Sequence, residues 1–276
     1  MPFLHFFTPA MPTLTVRPRA TGAPIPLLAL WGLLKRLSAI AVLLLLWEAA
    51  PRAGLVSAAF LPPFSKVALA WLDMLRDGTT VANLTASLIR SATGFGLALL
   101  VGVPLGLLIG WYKSVGDVLN PLIEVFRNTA TLALLPVFIL LLGIGETSKI
   151  AIVFYACTWA ILLNTISGVR SVDPLLIKSA KSMGLGPLRL FQKVVLPASV
   201  PTIFTGIRLA GATSILVLVA AEMVGANAGL GYYITYAQNN FQIDRMYAGI
   251  LSVSMLGLAI NYGLISLERH FSAWKQ

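Results

Sequence analysis

Four stretches of this chain, residues 91–112, 128–145, 150–169 and 246–267, run without a single charged side chain. A helix that crosses the hydrocarbon of a bilayer needs about 20 apolar residues, and each stretch meets or nearly meets that length. Two weaker candidates accompany them. Residues 37–47 are short, but the segment extends past Glu48 and back beyond Lys35 and Arg36, whose charged heads can reach the interface along their apolar stems. Residues 209–221 are followed by Glu222 and then by the apolar 223–230, so this segment spans only if the glutamate is tolerated. The expectation is six transmembrane helices in an all-α integral membrane protein. Composition agrees: 58% of the 276 residues are hydrophobic and 11% charged, against about 25% charged in soluble domains.

The formal net charge is +10. Its basic residues are spread between apolar blocks, which fits loops against an anionic membrane rather than a nucleic-acid surface. Sorted over six spans, 14 of the 20 Lys and Arg fall on the side of the termini. The other side carries Arg52, Lys66, Arg76, Arg90, Lys149 and Arg245. The positive-inside rule then puts both termini in the cytoplasm. The loop at residues 143–149 is short and external. The loop at about residues 170–208 is long, basic and cytoplasmic. Residues 1–30 form a Pro-rich N-terminal arm and 31–276 the membrane domain.

The sole cysteine, Cys157, lies in an apolar run, and His5 and His270 lie near opposite ends. No metal-ligand pattern and no set for nucleophilic catalysis exists. The stretch Gly143 to Lys149 does not fit a phosphate-binding loop. Gly94, Gly96, Gly102, Pro104, Gly106 and Gly110 recur in the second span and Pro136 in the third. Close helix packing explains them; hinges along a moving pathway are the alternative.

The long loop is the most informative segment. Asp173-Pro174 is a helix start, with aspartate as N-cap and proline at the first helical position. Gly184 is a helix stop in the left-handed conformation. A short helix is expected over residues 175–183. A second begins at Gly186-Pro187 and ends at Leu196-Pro197, with Leu188, Phe191 and Val195 on one side and Arg189 and Lys193 on another. This is a two-helix knob with a basic rim. It is either a surface loop on lipid headgroups or a docking element.

Residues 178–197, KSAKSMGLGPLRLFQKVVLP, resemble the EAA loop of bacterial importer permeases, Glu-Ala-Ala, three residues, Gly, nine residues, Ile-x-Leu-Pro. Ala180, Gly184, Val194, Leu196 and Pro197 fall at matching spacing. Lys178 stands in place of the usual Glu and Ser179 in place of the first Ala. Further strings match in order: Arg127-Asn128 to Leu134-Leu135-Pro136, Gly143-Ile144-Gly145-Glu146, residues 164–173, Gly206-Ile207-Arg208 and residues 221–232. Thr129-Ala130-Thr131 departs, because relatives commonly carry a proline there. Over about 200 residues the chain is similar to ABC permeases of the nitrate, sulfonate, taurine and bicarbonate group.

The resemblance implies a type I importer permease fold. Two permease copies form the pathway, as a homodimer in the inner membrane. Cytoplasmic ATP-binding subunits receive the loop, and a periplasmic binding protein delivers the solute. The residues it assigns to coupling are Lys178, Ser179, Ala180, Lys181, Gly184, Leu188, Phe191, Leu196 and Pro197. It implies no cofactor and no catalysis on this chain. A small oxyanion or sulfonate is the first expectation for the solute, a heteroaromatic vitamin or precursor the second.

Asn128, Thr129 and Thr131 either line a polar path or cap helix ends. Glu222, the one acid deep in a candidate span, either sits hydrated or paired at its span's outer end or serves gating or a structural bond near the path. Arg208 is expected to reach the cytoplasmic surface. An ion-driven secondary transporter would want more intramembrane acids or paired broken helices. A membrane-embedded enzyme would want acids or histidines clustered at one depth.

Overall fold

The computed structural model describes residues 25–272; most of the expected N-terminal arm, with His5, lies outside them. Every element among the described residues is helical. The long helices are α1 (Ile25–Arg52), α3 (Thr79–Trp111), α6 (Glu146–Arg170), α9 (Leu196–Met223) and α11 (Ile243–Ser272). Between them lie α2 (Phe64–Arg76), α4 (Lys113–Arg127), α5 (Leu135–Leu142), α7 (Pro174–Ser182), α8 (Pro187–Leu190) and α10 (Leu230–Asn239). Four helical segments are long and apolar enough to cross a membrane, or five if the bent pair of α4 with residues 131–142 counts as one.

The core is a layer in which α6 lies between α3 and α9. Its period is four residues on both faces of contact. Gly94, Ala98, Gly102, Gly106 and Gly110 on α3 meet Val153, Cys157, Ile161, Thr165 and Val169 on α6. A Cβ on Gly106 would stand 2.6 Å from Thr165 Cβ, and one on Gly110 2.7 Å from Val169 Cβ. On the other side of α6, a Cβ on Gly206 of α9 would stand 2.5 Å from Asn164 Cβ. In lipid no hydrophobic force drives helix association, so close backbone approach through small residues supplies the packing energy instead. These glycines are packing positions in this structure. Gly96 is different: nothing lies within 4 Å of its Cβ direction.

Three expectations need correction. The third span, expected over residues 128–145, is broken. After α4 the chain turns by 83°, makes a 3-10 turn at Thr131–Leu134, and only then enters the eight-residue α5. Ala130 is extended (φ −62°, ψ 110°). The Tyr155 hydroxyl donates to the Phe126 carbonyl at 2.7 Å, satisfying an acceptor at the end of α4. Leu196-Pro197 does not end the second loop helix. Residues 187–223 form one continuous helical segment, in which α8 passes through a π turn at Phe191–Val195 into α9. The Leu196 amide bonds the Phe191 carbonyl five residues back. That wider turn lets the helix take up Pro197, which has no N–H to give. Finally, Arg90 and Lys149 are not loop residues. α3 starts at Thr79 and α6 at Glu146, so both lysine and arginine lie inside helices, each 4% exposed.

Short amphipathic helices fill the corners. α2 turns Val67 and Met74 inward against Tyr233, Ala237 and Ala248. Trp71 donates to Ser252 Oγ of α11 at 3.0 Å. Glu48 of α1 accepts from the Ser65 amide and hydroxyl, both at 2.9 Å, and Trp47 donates to the Pro62 carbonyl. The Thr79 amide donates to Asp77 Oδ1 at 2.9 Å, which opens α3 and holds the Asp77 carboxyl below its ordinary range.

Candidate functional site

Two regions at opposite ends of the α3–α6–α9 layer concentrate the capped, charged and hydrogen-bonded side chains. The first is the knob. Asp173 caps α7, accepting from the Leu175 amide at 2.8 Å, with Pro174 at the first helical position. The helix closes in a Schellman arrangement. The Leu185 amide bonds the Ala180 carbonyl, the Gly184 amide bonds the Lys181 carbonyl, and Gly184 sits at φ +78°. Nothing lies within 4 Å of a Cβ at Gly184, so its requirement for glycine is conformational and not steric. The inner side of the knob packs Ile177, Val195 and Phe191 on Val169, Val172, Leu107 and Trp111. Phe191 and Trp111 meet edge to face at 5.2 Å.

Ala180 and Val195 are buried, while Lys178, Ser179, Lys181 and Leu188 are exposed; Leu196 and Pro197 are half-buried. Leu188 departs from its expected side: it is 68% exposed, and Leu190, at 2%, is the buried residue of α8. The outward face therefore presents Leu175, Leu176, Met183 and Leu188 among lysines. These exposed apolar side chains are interleaved with charge on a helix capped at both ends.

The second region surrounds Arg90, at the opposite end of α3. Its Nη1 donates to Glu222 Oε1 and to the Ala228 carbonyl, both at 2.7 Å. Its Nη2 donates to Glu146 Oε1 at 2.6 Å, and Nε bonds the other oxygen of Glu146. Glu222 also accepts from the Ser87 hydroxyl (2.8 and 2.9 Å) and from the Gly231 amide (3.0 Å). Both its oxygens have polar partners. Ser87 accepts from the Leu230 amide, and Asn83 from the Gly229 amide, each at 2.9 Å. Lys149 donates to the carbonyls of Gly145 (2.8 Å) and Gly225 (3.1 Å).

The four charges sum to zero, and their polar atoms are used. The network ties α3, α6, α9 and the loop at residues 225–231 into one corner. A charge in hydrocarbon costs several kcal/mol, and pairing with further hydrogen bonds offsets part of that cost. Glu222 is paired with Arg90 and is 1% exposed. Asn128 and Thr129 donate to the Glu124 and Val125 carbonyls at the end of α4, which is capping; Thr131 is half-buried in the turn that follows. The structure brings none of the three to Glu222's corner. Arg208 pairs with Glu268 of α11 at 3.1 Å.

The sequence reading missed Arg90, Glu146 and Lys149. One signal was available. Arg90 stands at the border of an uncharged run, three residues after Ser87. Glu146 and Lys149 stand three apart at the border of another. In helices, such spacings put both side chains on one face.

Fold and site together define a polytopic helical membrane protein with a capped two-helix knob at one end and a neutralised ion network at the other. Residues 102–273 match the family model described as "Binding-protein-dependent transport system inner membrane component". A taurine transport system permease protein of Escherichia coli is 33% identical over 240 residues, 85% of this chain and 87% of the relative. A putative aliphatic sulfonates transport permease protein of Bacillus subtilis is 32% identical over 245 residues, 89% of each. Among solved structures, a chain of the MetNI methionine ABC transporter superposes with a TM-score of 0.61 at 17% identity, covering 70% of this chain and 96% of that one. The chain belongs to the family of binding-protein-dependent transport system inner membrane components, the ABC importer permeases. In these systems ATP is bound by a separate subunit, and a substrate-binding protein is a further partner.

Proposed function

We propose that this chain, paired with a second copy of itself, forms the translocation pathway for a small sulfonate or oxyanion, and that the α7–α8 knob docks on a cytoplasmic ATP-binding subunit. The six crossings are α1, α3, the broken α4–α5 pair, α6, the α8–α9 segment and α11. Both termini lie in the cytoplasm. The ion network then stands at the outer end, where a binding protein delivers the solute. ATP hydrolysis takes place on the partner, and this chain contributes the path and the lever.

One observation carries the coupling role. The knob is rigidly capped and firmly seated, yet Leu175, Met183 and Leu188 are each about two-thirds exposed or more (67%, 73% and 68%) on its outer face. Lys178 at the position of the family's Glu changes the charge offered to the partner but leaves the shape intact. The substrate class rests on the relatives named for taurine and aliphatic sulfonates.

Disulfide crosslinking tests the docking. Cys157 is buried, so Lys181→Cys supplies the one accessible thiol among the described residues. Paired with single cysteines along the surface groove of the ATP-binding subunit, it is expected to crosslink in a manner that changes on ATP binding. Crosslinking to no position on that subunit, with Lys181→Cys accessible only from the periplasm, refutes the assignment.

A further inference from the structure

We infer that α4 is one wall of a water-filled vestibule, which runs from the knob's side of the bundle to the middle of the membrane and ends at the break after Arg127. This inference rests on the permease reading and places half of the path within this chain. Depth comes from α6, whose uncharged run covers residues 150–169. At helical rise that run is about 30 Å long, the thickness of the hydrocarbon. α4 climbs along it. At the foot, a Cβ on Gly116 would stand 2.5 Å from Arg170 Nη2. Higher up, Leu119 and Ile123 join Leu162 and Leu163 in one cluster. At the top, the Phe126 ring stacks on Trp159 at 6.0 Å, and the Phe126 carbonyl accepts from the Tyr155 hydroxyl. Trp159 stands at the middle of the uncharged run, so α4 ends at mid-depth. It runs along a crossing helix and does not lie flat on the membrane surface.

Around its axis α4 has three faces. Gly116, Leu119 and Ile123 pack on the bundle. Val118 and Val125, 76% and 66% exposed, form an apolar face suited to lipid. Between these faces Lys113, Asp117, Asn120, Glu124, Arg127 and Asn128, all exposed, recur at helical spacing. They make a stripe about 100° wide and about 21 Å long. A cavity of about 320 Å³, lined in part by Lys113, Asp117 and Arg170, opens at its foot. At its top Glu124 and Arg127 pair at 3.0 Å, with side chains 64% and 41% exposed and no third partner among the described residues. Charges at that depth face protein or a wet cavity, not lipid. Irregular backbone at that depth obeys the same rule, and Asn128, Ala130 and Leu132 of the break are exposed. A protein cover would strip water from both ions and return no further hydrogen bond; water on the stripe avoids that penalty. The stripe's two cations and two carboxylates sum to zero, so the wall hydrates a small polar solute of either sign.

The test uses the intact transporter in nanodiscs with Asn120→Cys, Asn128→Cys and Val125→Cys, each made singly; the buried Cys157 gives the background. Asn128 caps α4 through the Glu124 carbonyl, so Asn120→Cys stands as the second variant should that cap be needed. Each is labelled with the charged, water-soluble trimethylammonium-ethyl methanethiosulfonate. The reagent and the reacting thiolate both need water, so the two stripe positions should react about tenfold or more faster than Val125→Cys, which stands near the same depth on the apolar face. A spin label on Val125→Cys, read by oxygen against a water-soluble nickel chelate, is expected to report the bilayer centre. Stripe positions no faster than Val125→Cys, or a Val125 label at headgroup depth, overturn the vestibule. ATP hydrolysis by the unmodified complex, with and without its loaded binding protein, is read in parallel. A binding-protein response beside slow labelling defeats the vestibule alone; no response defeats the permease reading itself.

Discussion

The Arg90 cluster yields a prediction whose sign reverses with background. Replacing Arg90 with Met leaves Glu222 with the Ser87 hydroxyl and the Gly231 amide but no cation, at 0% side-chain exposure. Deleting one partner of a buried ion pair costs about 3–5 kcal/mol. Glu146, mostly exposed, regains water and adds little, about 0–1 kcal/mol. At about 2 °C per kcal/mol for a chain of this size, the half-loss temperature of the solubilised protein falls by roughly 6–10 °C. Adding Glu222→Gln removes the stranded charge while keeping an acceptor for Gly231. In the Arg90→Met background it is therefore stabilising. In the native background it is destabilising by about 1–3 kcal/mol, because an amide N–H replaces an acceptor. Size-exclusion chromatography of heated samples measures all four members of the cycle. If the double variant is weaker than Arg90→Met alone, Arg90 and Glu222 are not energetically joined, and the network reading is wrong.

Other substitutions probe separate links. Gly184→Val places a β-branched residue at φ +78° with open space around it. We expect membrane levels to hold and solute uptake to be lost, while Gly184→Asn, tolerant of that conformation, retains most uptake. Gly106→Val sets a Cβ 2.6 Å from Thr165 and 3.0 Å from the Leu162 carbonyl; overpacking costs about 1–3 kcal/mol, read as a lower half-loss temperature and reduced yield. Phe241, at φ 56° and 87% exposed, fills the glycine position of a Schellman turn after α10. Phe241→Gly should raise stability by about 1 kcal/mol. A fall in binding-protein-stimulated ATP hydrolysis in that variant would show that the ring serves a contact.

The sequence made the centres of the long helices plain, because uncharged runs of that length have one favourable solvent. It also made the Asp173 cap and the Gly184 turn plain, since each depends on one residue and its near neighbours. Helices α2 and α10 were not legible: at 13 and 10 residues, they depend on packing against Met74's and Tyr233's distant partners. The break after Arg127 was hidden because Thr129-Ala130-Thr131 carries no proline or glycine to mark it. Pro197 had the opposite effect, marking an end that the π turn removes. The ion network was illegible for a plain reason. Arg90 and Glu222 are 132 positions apart in the chain, and their helices, α3 and α9, meet only through the packing of both against α6 and each other.

The π turn has a mechanical consequence. It welds the foot of the knob to a transmembrane rod of 37 residues, about 55 Å long at helical rise, with Leu188 near one tip and Glu222 near the other. Such a rod transmits rotation as well as thrust. Inserting a single residue anywhere between them swings the far carboxylate by about 100° around the axis, out of reach of its arginine. The length of this segment is therefore held fixed by geometry at both ends, and insertions or deletions along it break the protein where milder substitutions do not.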